Sequence, residues 1–254
     1  MKSEVKIKSK SGKLIELLLF EATSTPQLTI IDSPGGFLES KEKAAEENKT
    51  LIEYCGKHQM NYLSIYYSNN GKHKDQPVNE LRFSSRMKDL ETAVDYATAK
   101  YHSSIILLGS SLGGFITLNT ANYSPSIKGL ILNCAAVKAH ICIETVMASE
   151  EYKHWKQKNT AMVWGVPFAY DFYEDIKRCN AMKVIPSINK PILWFHGTDD
   201  MTVPITQAYE ASYHNPNIEL IEIQGGGHRF GDKMQQGEWE DSVEDFIQSV
   251  LSNK

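Results

Sequence analysis

Ile105-Ile106-Leu107-Leu108-Gly109-Ser110-Ser111-Leu112-Gly113-Gly114-Phe115 decides the architecture. Four consecutive apolar residues read as a strand buried on both faces, the pattern of a parallel sheet covered on two sides. The run passes through Gly-x-Ser-x-Gly directly into residues 112–121, whose composition suits a helix. A serine on so sharp a strand-to-helix bend projects its hydroxyl above the sheet, and only small residues two positions to either side permit the bend. That rule separates two adjacent serines. Ser111 has Gly109 and Gly113 at −2 and +2, whereas Ser110 has Leu108 and Leu112. Ser111 is the expected nucleophile.

On both sides of this stretch, short apolar runs alternate with helical patterns. Residues 5–10 and 14–21, joined across Ser11-Gly12-Lys13, predict an opening antiparallel pair. Strands are also expected at 28–31, 62–67, 130–132, 191–195 and 218–223. Helices are expected at 40–58, 84–101, 112–121, 204–214 and 239–251; in the second, Met87, Leu90, Val94, Ala97 and Tyr101 fall at helical spacing. Such alternation predicts an α/β fold, a mostly parallel sheet of about eight strands flanked by helices. Between 138 and 186 the pattern breaks, with Trp155, Trp164, Phe168, Tyr170, Phe172 and Tyr173 among charges in no clean period. The expected organisation is a single domain over 1–254 with an insert at 138–186.

Composition narrows the function classes. Of 254 residues, 27 are Lys or Arg and 31 are Asp or Glu, a net charge of −4 without the basic excess of a nucleic-acid binder. The hydrophobic share of 41% against 23% charged excludes a disordered, collagen-like or coiled-coil chain. Cys55, Cys134, Cys142 and Cys179 are too scattered for a disulfide framework and form no Cys-x-x-Cys pair. Neither metal nor cofactor is expected. The opening Met-Lys-Ser-Glu-Val-Lys-Ile-Lys lacks the apolar run of a signal peptide, and no run approaches the roughly 20 residues of a membrane span. The expected setting is cytoplasmic, with a small-molecule partner, no nucleic acid and no membrane span.

Ligands in such sheets sit at the carboxyl ends of strands. A serine hydroxyl is a poor nucleophile unless a neutral imidazole takes its proton. His58, His73, His102 and His214 fall at helix ends or in polar loops, and His140 and His154 in the insert; His196 ends a strand. His228, in Gln224-Gly225-Gly226-Gly227-His228-Arg229-Phe230 between the last strand and the final helix, is the expected base. A carboxylate should accept its Nδ1–H and fix the tautomer. Asp199 and Asp200, after the strand at 191–195, both qualify, and spacing alone does not separate them.

With these residues the chain resembles the α/β-hydrolase superfamily over nearly its whole length. The stretch His196-Gly197-Thr198-Asp199-Asp200-Met201-Thr202-Val203-Pro204 is similar to the family's His-Gly-x-x-Asp-x-x-Val-Pro turn, which places the acid on Asp200. The groups it looks most similar to are the cinnamoyl/feruloyl-esterase and monoacylglycerol-lipase-like serine esterases. Haloalkane dehalogenases resemble it too but need a carboxylate where Ser111 stands. The resemblance implies hydrolysis of a carboxylic ester through an acyl-enzyme on Ser111, with activity falling in mildly acidic solution. Thioester, lactone or small-peptide hydrolysis, or ligand binding without catalysis, are the alternatives. It also implies oxyanion donors at the backbone N–H of Leu112 and of Gly36, or of Phe37 one residue on. Here the chain departs from the family, with Ser33-Pro34-Gly35-Gly36-Phe37 where His-Gly is usual. The insert resembles a cap, and Trp155, Trp164, Phe168 and Tyr170 either line its substrate pocket or bury it against the sheet.

Overall fold

The computed structural model describes residues 1–36, 45–67, 82–146, 149–163, 166–230 and 236–252. Strands β1 (Lys2–Lys8) and β2 (Leu14–Phe20) form the antiparallel opening pair. Exposure alternates along β1, whereas β2 buries Ile15, Leu17, Leu18 and Leu19. Strand β2 continues antiparallel onto β4 (Asn61–Tyr66), and from there the pairing is parallel: β4, β3 (Leu28–Ser33), β5 (Ser104–Ser110), β6 (Ile127–Asn133), β9 (Ile192–Gly197) and β10 (Ile218–Ile223). The eight-stranded sheet therefore runs β1-β2-β4-β3-β5-β6-β9-β10.

The period of two along β5 divides the core. Ile105 and Leu107 face one side, with Leu90 and Val94 of α2 (Phe83–Tyr101) and Phe115 of α3 (Leu112–Thr120). Ile106 and Leu108 face the other, with Leu51 and Cys55 of α1 (Lys49–Lys57) and Val243, Phe246 and Ile247 of α9 (Gln236–Ser252). All four β5 side chains are fully buried, each worth about 1.5–3 kcal/mol of apolar transfer. This double coverage is why the strand reads as one unbroken apolar run.

The chain leaves β3 for β4 on one side and then crosses to β5 on the other, so the strand order reverses between β3 and β5. The crevice beyond the carboxyl ends of two such strands is where open α/β sheets bind ligands. Gly35 and Ser111 meet there: a Cβ on Gly35 would lie 3.0 Å from Ser111 Cβ.

Between β6 and β9 come α4 (Ala139–Val146), α5 (Ser149–Lys158), the antiparallel pair β7 (Thr160–Val163) and β8 (Val166–Ala169), α6 (Tyr170–Arg178), α7 (Ala181–Val184) and a 3₁₀ turn at Ile185–Ser187. The β7–β8 pair is absent from the sequence expectation, because four-residue strands are too short to show a period. The helix expected at 204–214 begins later, as α8 (Thr206–His214). Pro204 and Ile205 instead form a tighter turn, in which Gln207 N–H donates to Pro204 O at 3.0 Å and Ala208 N–H to Ile205 O at 2.9 Å. The helix expected at 40–58 appears as α1, and residues 37–44 lie outside the described ones.

Candidate active site

Ser111 stands between β5 and α3 at φ 51° and ψ −117°, a conformation costly for any residue with a Cβ. Its surroundings hold it there. Ser111 N–H donates to Asn133 O at 2.9 Å, and its carbonyl accepts from Ala136 N at 3.0 Å and Phe115 N at 3.3 Å. The flanking glycines are required by crowding: a Cβ on Gly109 would sit 2.5 Å from Thr117 Oγ1, and one on Gly113 only 1.8 Å from Ser33 O. The second contact presses the elbow against the carboxyl end of β3.

The acid turn after β9 and the loop after β10 are laced together by backbone bonds. Thr198 N–H donates to Ile223 O at 3.0 Å and Asp199 N–H to Gly226 O at 2.9 Å, while Gly225 N–H donates to Thr198 Oγ1 at 2.8 Å. This stitching brings His228 over the sheet edge. His228 Nδ1 lies 2.7 Å from Asp200 Oδ2, and Nε2 lies 2.8 Å from Ser111 Oγ. A carboxylate only accepts, so Nδ1 carries the hydrogen and Nε2 is left to accept from the serine hydroxyl. Ser111, His228 and Asp200 thus form one unbroken hydrogen-bond chain. Asp199 is exposed and accepts from Thr198 Oγ1 at 3.1 Å, away from the imidazole.

The Asp200 side chain has no exposed surface, while His228 keeps 23% of its own. Asp200 Oδ1 accepts the N–H groups of Thr202 and Val203, both at 2.8 Å. Burial works against the charged form, but hydrogen bonds from His196, His228 and Val203 outweigh it and hold the carboxyl well below the usual carboxylate range. His196, fully buried, places Nε2 2.8 Å from Val203 O and 3.4 Å from Asp200 Oδ2. Cys134, His196 and Asp200 bring potential ligand atoms within 4.8 Å of one another. The imidazole and the carboxylate are already engaged, however: the first by Trp194 and Val203, the second by the N–H groups of Thr202, Val203, His196 and His228.

Leu112 opens α3, where N–H groups find no partner within the helix. Gly36, at φ 73°, has its carbonyl held by Arg86 Nη1 at 2.9 Å. Arg86 is 1% exposed and stacks its guanidinium 4.9 Å from the centre of the Tyr67 ring. Tyr67 Oη and Ser33 Oγ are hydrogen-bonded at 2.5 Å, and Ser33 Oγ donates to Gly113 O at 3.1 Å. A buried polar network therefore joins the loop after β3 to the elbow. The sequence pattern did not single out Arg86 or pair His196 with Asp200; a charged residue on a helix reads as solvated, and the pairing exists only in three dimensions.

In the segment between β6 and β9, Trp155 and Phe168 have no exposed surface, and Trp155 Nε1–H donates to Phe168 O at 2.9 Å. Phe168 stacks on Phe172, which packs 5.1 Å from Phe83 of α2. Tyr170 is partly exposed and meets Trp155 edge-on at 5.7 Å. Phe37, His73 and Trp164 lie outside the described residues.

A mostly parallel eight-stranded sheet with a strained serine elbow at its crossover defines an α/β-hydrolase, and the solved structures it matches share that fold. Est1E from Butyrivibrio proteoclasticus, in a structure with ferulic acid bound, superposes with a TM-score of 0.80 at 20% identity, over 98% of this chain and 99% of that one. Mouse alpha/beta hydrolase domain-containing protein 10 gives 0.77 at 17% identity, with the same two coverages. The pimeloyl-[acyl-carrier protein] methyl ester esterase of Xanthomonas axonopodis pv. citri is 22% identical, over 57% of this chain and 72% of that protein. Residues 76–254 match the prolyl oligopeptidase family, and the chain belongs to it. It is a hydrolase of the α/β-hydrolase type. Among the described residues, no helix is long and apolar enough to cross a membrane.

Proposed function

We propose that the protein is a metal-free serine esterase cleaving a small carboxylic ester through an acyl-enzyme on Ser111. The observation that carries this is the continuous chain from Ser111 Oγ through His228 to Asp200, with both links under 3 Å. Ser111 attacks the acyl carbonyl as His228 Nε2 takes its proton. Asp200 keeps the imidazole hydrogen on Nδ1 and balances the imidazolium that forms. The N–H of Leu112 and that of Gly36, or of Phe37, hold the tetrahedral oxyanion; such a donor is typically worth about 3 kcal/mol. His228 then returns its proton to the leaving alcohol and activates the water that releases the acid.

The segment 138–186 acts as a cap in this scheme, within one catalytic domain, and the expected setting is the cytoplasm. Of the aromatic side chains described there, the partly exposed Tyr170 is the one we assign to the acyl pocket. Trp155 and Phe168 are fully buried, and Trp155 packs edge-on against Tyr170 and helps hold it in place.

The test is Ser111→Ala beside Ser110→Ala on short p-nitrophenyl esters. Loss of the nucleophile should lower kcat on the order of 10⁶-fold, while Ser110→Ala retains activity. Abolition by Ser110→Ala alone would overturn the assignment. Because the family is named for a peptidase, matched ester, thioester and amide substrates belong in the same panel. Faster amide than ester turnover would favour a peptidase.

A further inference from the structure

Asp200 serves two imidazoles, and one of them has no part in the mechanism above. Trp194 Nε1 lies 3.2 Å from His196 Nδ1. An indole nitrogen can only donate, so His196 Nδ1 accepts and the ring hydrogen sits on Nε2. That hydrogen faces Val203 O at 2.8 Å and Asp200 Oδ2 at 3.4 Å, the same oxygen that takes the Nδ1–H of His228 at 2.7 Å. We propose that His196 is a positioning residue of the site: by sharing Asp200 Oδ2 with His228, it fixes the carboxylate's orientation and limits how strongly Asp200 holds the His228 proton.

The inference rests on the esterase function proposed above and extends it to the acid's far side. The arrangement follows from strand geometry. Trp194 and His196 are two residues apart on β9 and share one face, so the indole can fix the ring that reaches the acid turn. A carboxylate relieved of one donor becomes a stronger acceptor for the other. His228 would then bind its proton more tightly and act as a base only at higher pH.

Of the other titratable groups facing this cluster, the Cys134 thiol also hydrogen-bonds to Asp200, as a neutral donor that all the His196 variants keep. The Cys134 thiol, after β6, and the Cys142 thiol, on α4, are both pushed up by burial and stay uncharged at ordinary pH. Ser111 meets His228 from the elbow, and Arg229 is paired with Glu47 at 2.7 Å.

The experiment compares His196→Phe, His196→Asn and His196→Gln on a p-nitrophenyl ester across pH. Phenylalanine keeps the bulk without a donor, asparagine is too short to reach Asp200, and glutamine can put an N–H where Nε2 was. For the first two, the acid-side midpoint of kcat/KM should rise by about half a pH unit and kcat fall about tenfold with KM little changed; glutamine should restore the midpoint. If His196→Phe does not fold, the Asn and Gln pair decides. In the wild-type protein, ¹⁵N resonances should show His196 protonated at Nε2 and bare at Nδ1, which requires no variant. Wild-type midpoint and kcat in the Asn and Phe variants, or a hydrogen on Nδ1, would overturn the inference alone. A wild-type enzyme inert to esters, with Ser111 unlabelled by a fluorophosphonate, would overturn the esterase function and this inference with it.

Discussion

Gly113→Ala should disable the site without touching any group in it. The new Cβ would stand 1.8 Å from Ser33 O and 2.7 Å from Pro34 O, all of it rigid backbone. A tolerable contact needs at least about 3 Å, so the end of β3 must retreat by about 1.2 Å. That movement carries Gly36 away from Ser111, and a misplacement of about 1 Å in such a site costs on the order of 100-fold in rate. Overpacking of this kind also lowers stability by about 2 kcal/mol, or about 6 °C in Tm for a chain of this size. The assay is kcat/KM on a p-nitrophenyl ester at a temperature where the variant is fully folded, with fluorophosphonate titration of reactive Ser111. Gly56→Ala is the control: it lies within α1, a Cβ there meets nothing within 4 Å, and Ala should stabilise the helix by about 0.5–1 kcal/mol at unchanged kcat. A Gly113→Ala enzyme within threefold of wild-type kcat/KM would refute the link between the elbow and the loop after β3.

Asp200→Asn should lower kcat by about 10⁴, because an amide no longer dictates the His228 tautomer. The same variant tests linkage. The folded carboxyl lies below its unfolded value of about 3.9, so its stabilising contribution is full above that value and fades as pH falls through the folded one. The urea-measured difference between wild type and variant should therefore shrink in acid; a gap that widens would contradict the assignment. Arg86→Met strips the Gly36 carbonyl of its partner and should cost about 2–3 kcal/mol in urea melts, with Arg86→Lys a poor substitute for a stacked guanidinium. Burial pushes the Cys55 thiol up to about 12 and the half-buried Cys179 up to about 11. Ellman's reagent at about pH 8 should therefore react slowly with the native protein and reach all four cysteines only in denaturant; rapid native labelling would contradict that.

The strand series was legible because strands buried on both faces read as plain apolar runs, and β5 with its elbow is the clearest instance. What escaped sequence reading shares one cause: its signal lies between segments. Spacing alone left Asp199 and Asp200 open, and it took the resemblance of the turn at 196–204 to choose Asp200; physically they differ in the direction each side chain takes after β9. Arg86 sits within a helix whose apolar spacing was recognised, yet its charge suggested water where the structure puts the Tyr67 ring and the Gly36 carbonyl. The β7–β8 pair is too brief to impose periodicity on the aromatic residues around it.

The order in which the sheet is completed has a bearing on biosynthesis. Among the described residues, strand β10 lies at the sheet's rim and pairs with β9 alone, and His228 follows it. On the ribosome, amino-terminal parts of a chain are free to fold before the rest emerges. The strained elbow can therefore be assembled well before any imidazole is available to it. A nascent polypeptide would carry an inert alcohol there until residue 228 has emerged, so any hydrolytic competence arrives only after the described sheet is complete.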